Sequence, residues 1–277
     1  MDRRSNLSSA RVRVITWNVA KRVSRLAEQA MALAEREPDV VALQEVTRGS
    51  LPLWRAACAT VGLRDVACSL DDAEPAREPA GRRSTGVLIA ARGPVEPAAR
   101  FDVPWPETTL AVVTAGVRVD AVHVPNANNG WVKVHTLQAI RAGCAQAPPG
   151  PRIVCGDFNV PRREHPDGTV ISFARDSRER LRSERGPEWD AAELGVVPGL
   201  RDLGFRDAFR TVHGYARREP SWTFRRMGGH DGGWRLDHLF VSSELEVRTS
   251  RYHHGWRDAD LSDHAPLEAD VELGSGH

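Results

Sequence analysis

The sequence predicts a four-layered α/β sandwich, with two packed, mainly antiparallel β-sheets lying between outer helices. Three observations carry this reading. Helical and strand-like patterns alternate along the chain, as a layered α/β domain requires. The strand-like stretches of the C-terminal half follow one another without regular crossover helices, which argues against a doubly wound parallel sheet. The chain has 277 residues, yet no linker, internal repeat or low-complexity tract divides it, and α/β units of about 250 residues commonly form one domain. One domain is expected over residues 11–273, after a disordered polar lead-in over residues 1–10.

The elements follow in order. Residues 11–16 alternate Val12, Val14 and Thr16 with Arg11 and Arg13, the period of a strand. Residues 23–36 are rich in Ala, Leu and Glu and stop before Pro38, which predicts a helix. The apolar run 40–43 predicts a buried strand, and residues 51–61 a second helix closed by Gly62. Pro, Gly and mixed charge make residues 71–83 a loop. Strands are expected over 86–91, 110–114 and 117–124, a helix over 132–147 ending at Pro148, and a strand over 152–155. Residues 165–187 are polar and Arg-rich, a long surface insertion. Helices over 188–203 and 206–212 precede strands over 221–224, 235–241, 245–251 and 267–271.

Composition narrows the function classes. The 38 basic residues nearly balance 37 acidic ones, for a formal charge of +1. Net charge therefore gives no argument for a nucleic-acid partner. Most of the basic residues are Arg, which suits phosphate recognition. Cys58, Cys68, Cys144 and Cys155 lack CxxC spacing, so neither a disulfide framework nor a zinc knot is expected. The polar first residues and the absence of an apolar run of about 18 residues predict a soluble, cytoplasmic protein without a membrane partner. No obligate protein partner is evident.

Polar residues recur where predicted strands end. Asn18, Glu45, His123, Asn126, Asp157 and Asn159 each follow one, Asp237 lies within one, and Asp263 and His264 precede the last. Strand ends on a rigid scaffold are where reactive groups are usually placed. Each residue alone has a bland reading as a cap, a solvated acid or a satisfied histidine. Together the carboxylates, amides and histidines form the inventory that phosphate chemistry needs.

The segments Ile15-Thr16-Trp17-Asn18, Leu43-Gln44-Glu45-Val46, Gly156-Asp157-Phe158-Asn159, Gly233-Trp234-Arg235-Leu236-Asp237 and Ser262-Asp263-His264 stand in this order. This series resembles the signature blocks of the endonuclease/exonuclease/phosphatase superfamily. Val124-Pro125-Asn126-Ala127 and the stretch over residues 200–209 resemble its exonuclease III-like, abasic-site endonuclease branch. The resemblance implies a deoxyribonuclease I-like fold and a divalent-metal-dependent phosphodiesterase, a DNA endonuclease or exonuclease acting in repair. It implies Mg²⁺ or Mn²⁺ held by Glu45 and Asp263, since hard cations choose carboxylate oxygens. Asp157 would orient or deprotonate the attacking water, and Asn159 would hold that water. His264, its tautomer set by Asp237, would bind the phosphoryl oxygen. His123 would protonate the leaving oxygen or bind phosphate. Asn18, Asn126, Trp222 and Arg235 would contact substrate. That branch carries Tyr where His123 stands and Asp where Ala20 stands.

Further substrate signals come from the residues themselves. Trp131 and Lys133 follow Asn126, and Trp222, Phe224, Arg225 and Arg226 place aromatics beside arginines, a combination that stacks bases and binds phosphates. Trp222 and Phe224 read equally well as core strand residues. The arginines of the insertion, interleaved with acids, read as a solvated face. His253, His254 and His230 lack HxxxH or HExxH spacing and read as surface or cleft residues rather than zinc ligands. Two other functions compete with a nuclease: a hydrolase of a small or lipid-linked phosphate ester on the same fold, and a binding module without turnover.

Overall fold

The run Val40-Val41-Ala42-Leu43 has no polar residue because it is covered on both sides. In the computed structural model, which describes residues 11–71, 85–146, 148–225 and 231–274, Val40 and Ala42 face a core between two sheets. Val41 and Leu43 face a second core under the outer helices. The alternate faces of one strand thus build two layers.

The first sheet has six strands in the order β15-β16-β1-β2-β4-β3. They are β1 (Arg11–Asn18), β2 (Val40–Thr47), β3 (Asp65–Cys68), β4 (Thr85–Ala91), β15 (Leu245–Tyr252) and β16 (Leu267–Leu273). The second has the order β11-β14-β8-β7-β6-β5. Its strands are β5 (Glu96–Pro97), β6 (Thr109–Thr114), β7 (Val117–His123), β8 (Arg152–Asp157), β11 (Arg206–Asp207) and β14 (Asp237–Val241). Each sheet contains one parallel pair, β1 with β2 and β7 with β8. The remaining neighbours are antiparallel. Helices α1 (Leu26–Arg36) and α2 (Leu51–Thr60) cover the first sheet through Leu33, Trp54 and Cys58. Helices α3 (Trp131–Gln146) and α4 (Gly186–Val196) cover the second through Val134, Leu137, Ile140 and Trp189. The four-layered sandwich is the predicted one.

Several elements depart from the sequence pattern. The helix expected over 188–203 stops at Val196, and a 3-10 turn, Gly199–Leu203, follows Pro198, which has no N–H to continue the ladder. The helix expected over 206–212 begins later as α5 (Ala208–His213), because Arg206 and Asp207 pair with β14. Asp207 Oδ1 then caps it by accepting from Arg210 N at 3.0 Å. The strand expected over 235–241 begins two residues later, as β14 at Asp237, and an unexpected strand precedes it: Asp231–Trp234 pairs with Trp222–Arg225 as a hairpin, β13 on β12. The insertion is not a surface loop throughout. Ser172 and Ala174 are fully buried, following a small hairpin of β9 (Arg163–Glu164) and β10 (Val170–Ile171). A short helix α6 (His254–Asp258) was not legible at all. The lead-in over 1–10, residues 72–83 of the predicted loop and Ala147 lie outside the described residues.

Candidate active site

The carboxyl ends of the two parallel pairs lie at one edge of the sandwich. Asn18 ends β1, His123 ends β7 and Asp157 ends β8, with His123 and Asp157 directly opposite in register. Asp237 begins the antiparallel β14, so it starts at this same edge, paired with Asp157. Glu45 sits in an irregularity of β2 between Leu43 and Val46, with φ of 60°. Eight of the expected residues, Glu45, His123, Asn126, Asp157, Asn159, Trp222, Asp263 and His264, line one cleft of about 480 Å³, together with Trp234.

At its floor, His264 Nδ1 lies 2.8 Å from Asp237 Oδ2, and its Nε2 lies 3.9 Å from Asp157 Oδ2. Burial works against a charged imidazole, but the carboxylates of Asp237 and Asp157 outweigh it and hold His264 at a pKa of about 10. It is therefore an imidazolium at neutral pH. Asp157 is pushed the other way. Burial raises its carboxyl above the usual range, against the pull of His264. Its Oδ1 accepts from Asn159 N at 2.9 Å and its Oδ2 from Asn18 Nδ2 at 3.1 Å. Asn159, at φ 53°, is anchored by its Nδ2 to the Val124 carbonyl at 2.8 Å. Ser262 joins the walls: its hydroxyl donates to the Asn18 carbonyl at 2.6 Å and accepts from His264 N at 3.1 Å.

Toward the mouth, Asn18 Nδ2 reaches Glu45 Oε1 at 3.2 Å, and His123 Nε2 stands 3.7 Å from that oxygen and 3.8 Å from Asp157 Oδ2. Lys21 Nζ stands 3.6 Å from Glu45 Oε2. Asp263 is exposed, and its Oδ2 accepts from the Trp222 indole at 3.0 Å. Trp222 stacks on Trp234 with centroids 5.3 Å apart and planes 10° apart. Asn126 is exposed and caps the 3-10 turn Ala127–Asn129 through its side chain.

The donor set fits a hard cation. Glu45, Asp157, Asp237 and Asp263 bring four carboxylates to one site, an arrangement that positive charge between them would relieve. Asp157, Asp237 and His264 place ligand atoms within 4.8 Å of one another. The His264 Nδ1 is already bonded to Asp237. Glu45, half-buried at the mouth, is the better holder for an ion that retains several waters.

Not every expected residue reaches the cleft. Arg235 is turned away. Its guanidinium bonds Glu164 at 2.6 and 2.7 Å and Asp207 at 2.8 Å, and its side chain is 3% exposed. The residue follows Trp234 into the joint between β13 and β14 and is a structural ion pair, not a substrate contact. Lys133 does reach the cleft wall, but it is buried and its ammonium is committed to Glu193 at 2.6 Å and the Asn159 carbonyl at 3.0 Å. Trp131 is exposed. His253 and His254 pair with Glu268 and Glu219, outside the cleft. His230 and Arg226, and the side chain of Arg225, lie outside the described residues. Three contributors were missed: Trp234, Phe173 and Ser262. Trp234 and Ser262 lie inside quoted motifs, and Phe173 had no signal.

A two-sheet sandwich gathering acids, amides and histidines at one edge of its sheets defines a phosphoester hydrolase class. The chain belongs to the Endonuclease/Exonuclease/phosphatase family, which it matches over residues 15–264. Among solved structures it is similar to an AP endonuclease from Archaeoglobus fulgidus, with TM-score 0.70 and 22% identity over 93% of this chain and 98% of that one. It is also similar to the 3' phosphatase NExo from Neisseria bound to product DNA hairpin, with TM-score 0.63 and 23% identity over 95% of this chain and all of the other. TDP2 from Caenorhabditis elegans follows at TM-score 0.59 and 16% identity, over 95% of this chain and 75% of that chain. No curated protein sequence matches the chain. No helix among the described residues is long and apolar enough to cross a membrane.

Proposed function

We propose that this protein is a Mg²⁺- or Mn²⁺-dependent phosphodiesterase that cuts DNA, working as a single catalytic unit over residues 11–273. The observation that carries the reading is the placement of His264, bonded to Asp237 at 2.8 Å, 3.9 Å from the Asp157 carboxylate across the floor of one cleft. The two groups divide the labour that ester hydrolysis requires. Asp157, held above the usual carboxylate range, accepts the proton of the attacking water, and Asn159 keeps that water in place. The His264 imidazolium, steadied by Asp237, binds a nonbridging oxygen and offsets the charge that develops there. Asn126 contacts a second such oxygen, Asn18 orients Asp157 and Glu45, and His123 faces the leaving oxygen. A cation held by Glu45 and Asp263 would supply charge neutralisation at the phosphate. The stacked Trp222 and Trp234 offer an aromatic wall for a base. Four buried, unpaired cysteines accord with a reducing cytoplasm.

DNA is favoured by what the similar structures process: an AP endonuclease and a phosphatase bound to a DNA hairpin. The test is to incubate pure protein with labelled duplexes, intact, abasic or with a recessed end, with and without Mg²⁺, beside a generic phosphodiester. Metal-dependent cleavage of a duplex is expected. Turnover of the generic ester alone would move the assignment to a small-molecule hydrolase, and no turnover of either would leave a binding module.

A further inference from the structure

Three guanidinium groups outside the cleft converge on one short stretch of backbone. Arg162 Nη1 donates to the Arg175 carbonyl at 3.2 Å, and Arg182 Nε donates to the same oxygen at 3.4 Å. Arg185 Nη1 donates to the carbonyl of Phe173, two residues upstream. Other arginines of the insertion are neutralised: Arg163 by Glu179, Arg175 by Asp190 and Arg180 by Asp176. Among the described residues, Arg162 and Arg185 have no carboxylate within 4.0 Å. Arg182 has only Glu184 at 3.6 Å, itself 62% exposed. All three guanidinium-bearing side chains are partly open to solvent.

The crowding of like charge is visible in their acidity. Burial first, then Arg182 and Arg163, draw Arg162 below the ordinary arginine range, with Asp176 opposing weakly. Burial and Arg182 do the same to Arg185, against Glu193 and Glu184. Helix α4, of 11 residues, starts at Gly186 with no side chain capping it, adding the positive end of a dipole. Its first-turn acid, Glu188, accepts from Gln138 at 3.3 Å.

The cluster lies just behind the catalytic rim. Phe173, whose carbonyl holds Arg185, lines the cleft and packs edge-on against Trp234 at 5.0 Å. Trp234 in turn also lines the neighbouring cavity of about 470 Å³ that includes Arg162. Arg162 and Arg185 thus adjoin the cleft, through Trp234 and Phe173 respectively. Guanidinium forks match phosphate oxygens.

We propose that Arg162, Arg182 and Arg185 form a second phosphate station, which takes a backbone phosphate of the strand whose scissile phosphate lies in the cleft. The proposal rests on the DNA reading above and adds a length requirement to it. The test compares wild type with Arg162→Gln/Arg182→Gln on a dinucleotide, a longer duplex and bis(p-nitrophenyl) phosphate. Binding of the labelled duplex is followed separately by anisotropy in EDTA. Expected are a KM for the long duplex raised about tenfold, a salt slope reduced by about two, and unchanged kinetics on the dinucleotide and the generic ester. Arg182→Lys is expected to restore part of the lost affinity. Should the double variant melt early, Arg182→Gln alone, which gives up one long hydrogen bond, is read instead. Unchanged duplex binding and KM, or equal losses on all substrates, would overturn the station. Arginine-dependent binding without wild-type cleavage would sink the nuclease reading and leave the station standing. A wild type that neither binds nor cuts the duplex would remove both.

Discussion

Lys133 is fully buried, its ammonium divided between the Glu193 carboxylate and the Asn159 carbonyl. Burial draws its pKa down while Glu193 works against that. Glu193 also accepts from Phe173 N and the Trp189 indole, each at 2.6 Å. One ion pair thus ties the insertion, α3 and the Asp157–Asn159 turn together. Lys133→Met strands Glu193 and is expected to cost about 3–5 kcal/mol, read by denaturant melts. Adding Glu193→Gln should restore much of that stability, yet kcat should stay at least tenfold low because the Asn159 carbonyl has lost the Lys133 ammonium that steadies it. Recovery of kcat together with stability would mean that Lys133 only packs. The floor and the mouth of the cleft give separate signatures. Asp157→Asn removes the group placed to take a proton and should lower kcat by about 10²–10⁴-fold while duplex binding persists. Glu45→Gln should act instead through the metal requirement, with activity largely recovered at high Mg²⁺. Unchanged turnover of Glu45→Gln at low Mg²⁺ would refute its role.

At the scale of elements, the same device occurs twice. β1–α1–β2 and β7–α3–β8 are both strand, crossover helix and parallel neighbour. Ligand-binding groups collect outside the carboxyl ends of parallel strands, and here two such ends share one edge. The junction of β7 and β8 leaves no room for a side chain at Gly156, where a Cβ would lie 1.9 Å from the Val122 carbonyl and φ is 138°. Gly156→Ala is therefore expected to force β7 from β8, separating His123 from Asp157. Loss of both melting temperature and activity should follow, and wild-type behaviour would show the approach to be relaxed. At the joint of β13 and β14, Arg235 links Glu164 on β9 to Asp207 on β11. Arg235→Met should destabilise the protein by about 3–5 kcal/mol by leaving buried acids unpaired. A raised duplex KM with unchanged stability would return Arg235 to the substrate.

The whole molecule's response to acid is set by such buried carboxylates. Burial raises the Glu164 pKa, but Arg235 and Arg210 outweigh it and hold it at about 2, below its ordinary 4.5. A carboxyl depressed in the folded state binds its proton more readily when unfolded. Its contribution is complete above about pH 4.5 and is lost as pH falls through about 2. That shift corresponds to about 3 kcal/mol. Stability measured by denaturant between pH 5 and 2 should fall steeply in the wild type and less steeply in Glu164→Gln. Parallel curves would show that Glu164 does not govern the window.

Local order along the chain was enough to determine the layers and to name most of the expected residues that line the cleft. The period of two in Val12 and Val14, the two-sided apolar run Val40–Leu43, and motif blocks such as Gly156–Asn159 are short-range patterns, readable without knowing what packs against them. Glu45, Asp157 and His264 could be named because strand ends carry polar residues wherever a scaffold presents chemistry. The tertiary structure alone decided which polar residues face the cleft and which face each other. The resemblance puts Arg235 at the substrate, and Lys133 reads as a contact from its place after Asn126, but carboxylates 71 and 60 residues away claim them. Such pairings between distant segments depend on register and burial, which a linear pattern does not contain. Phe173 and the arginine cluster behind it became visible for the same reason, once folding had brought residues 162, 173, 182 and 185 to one surface.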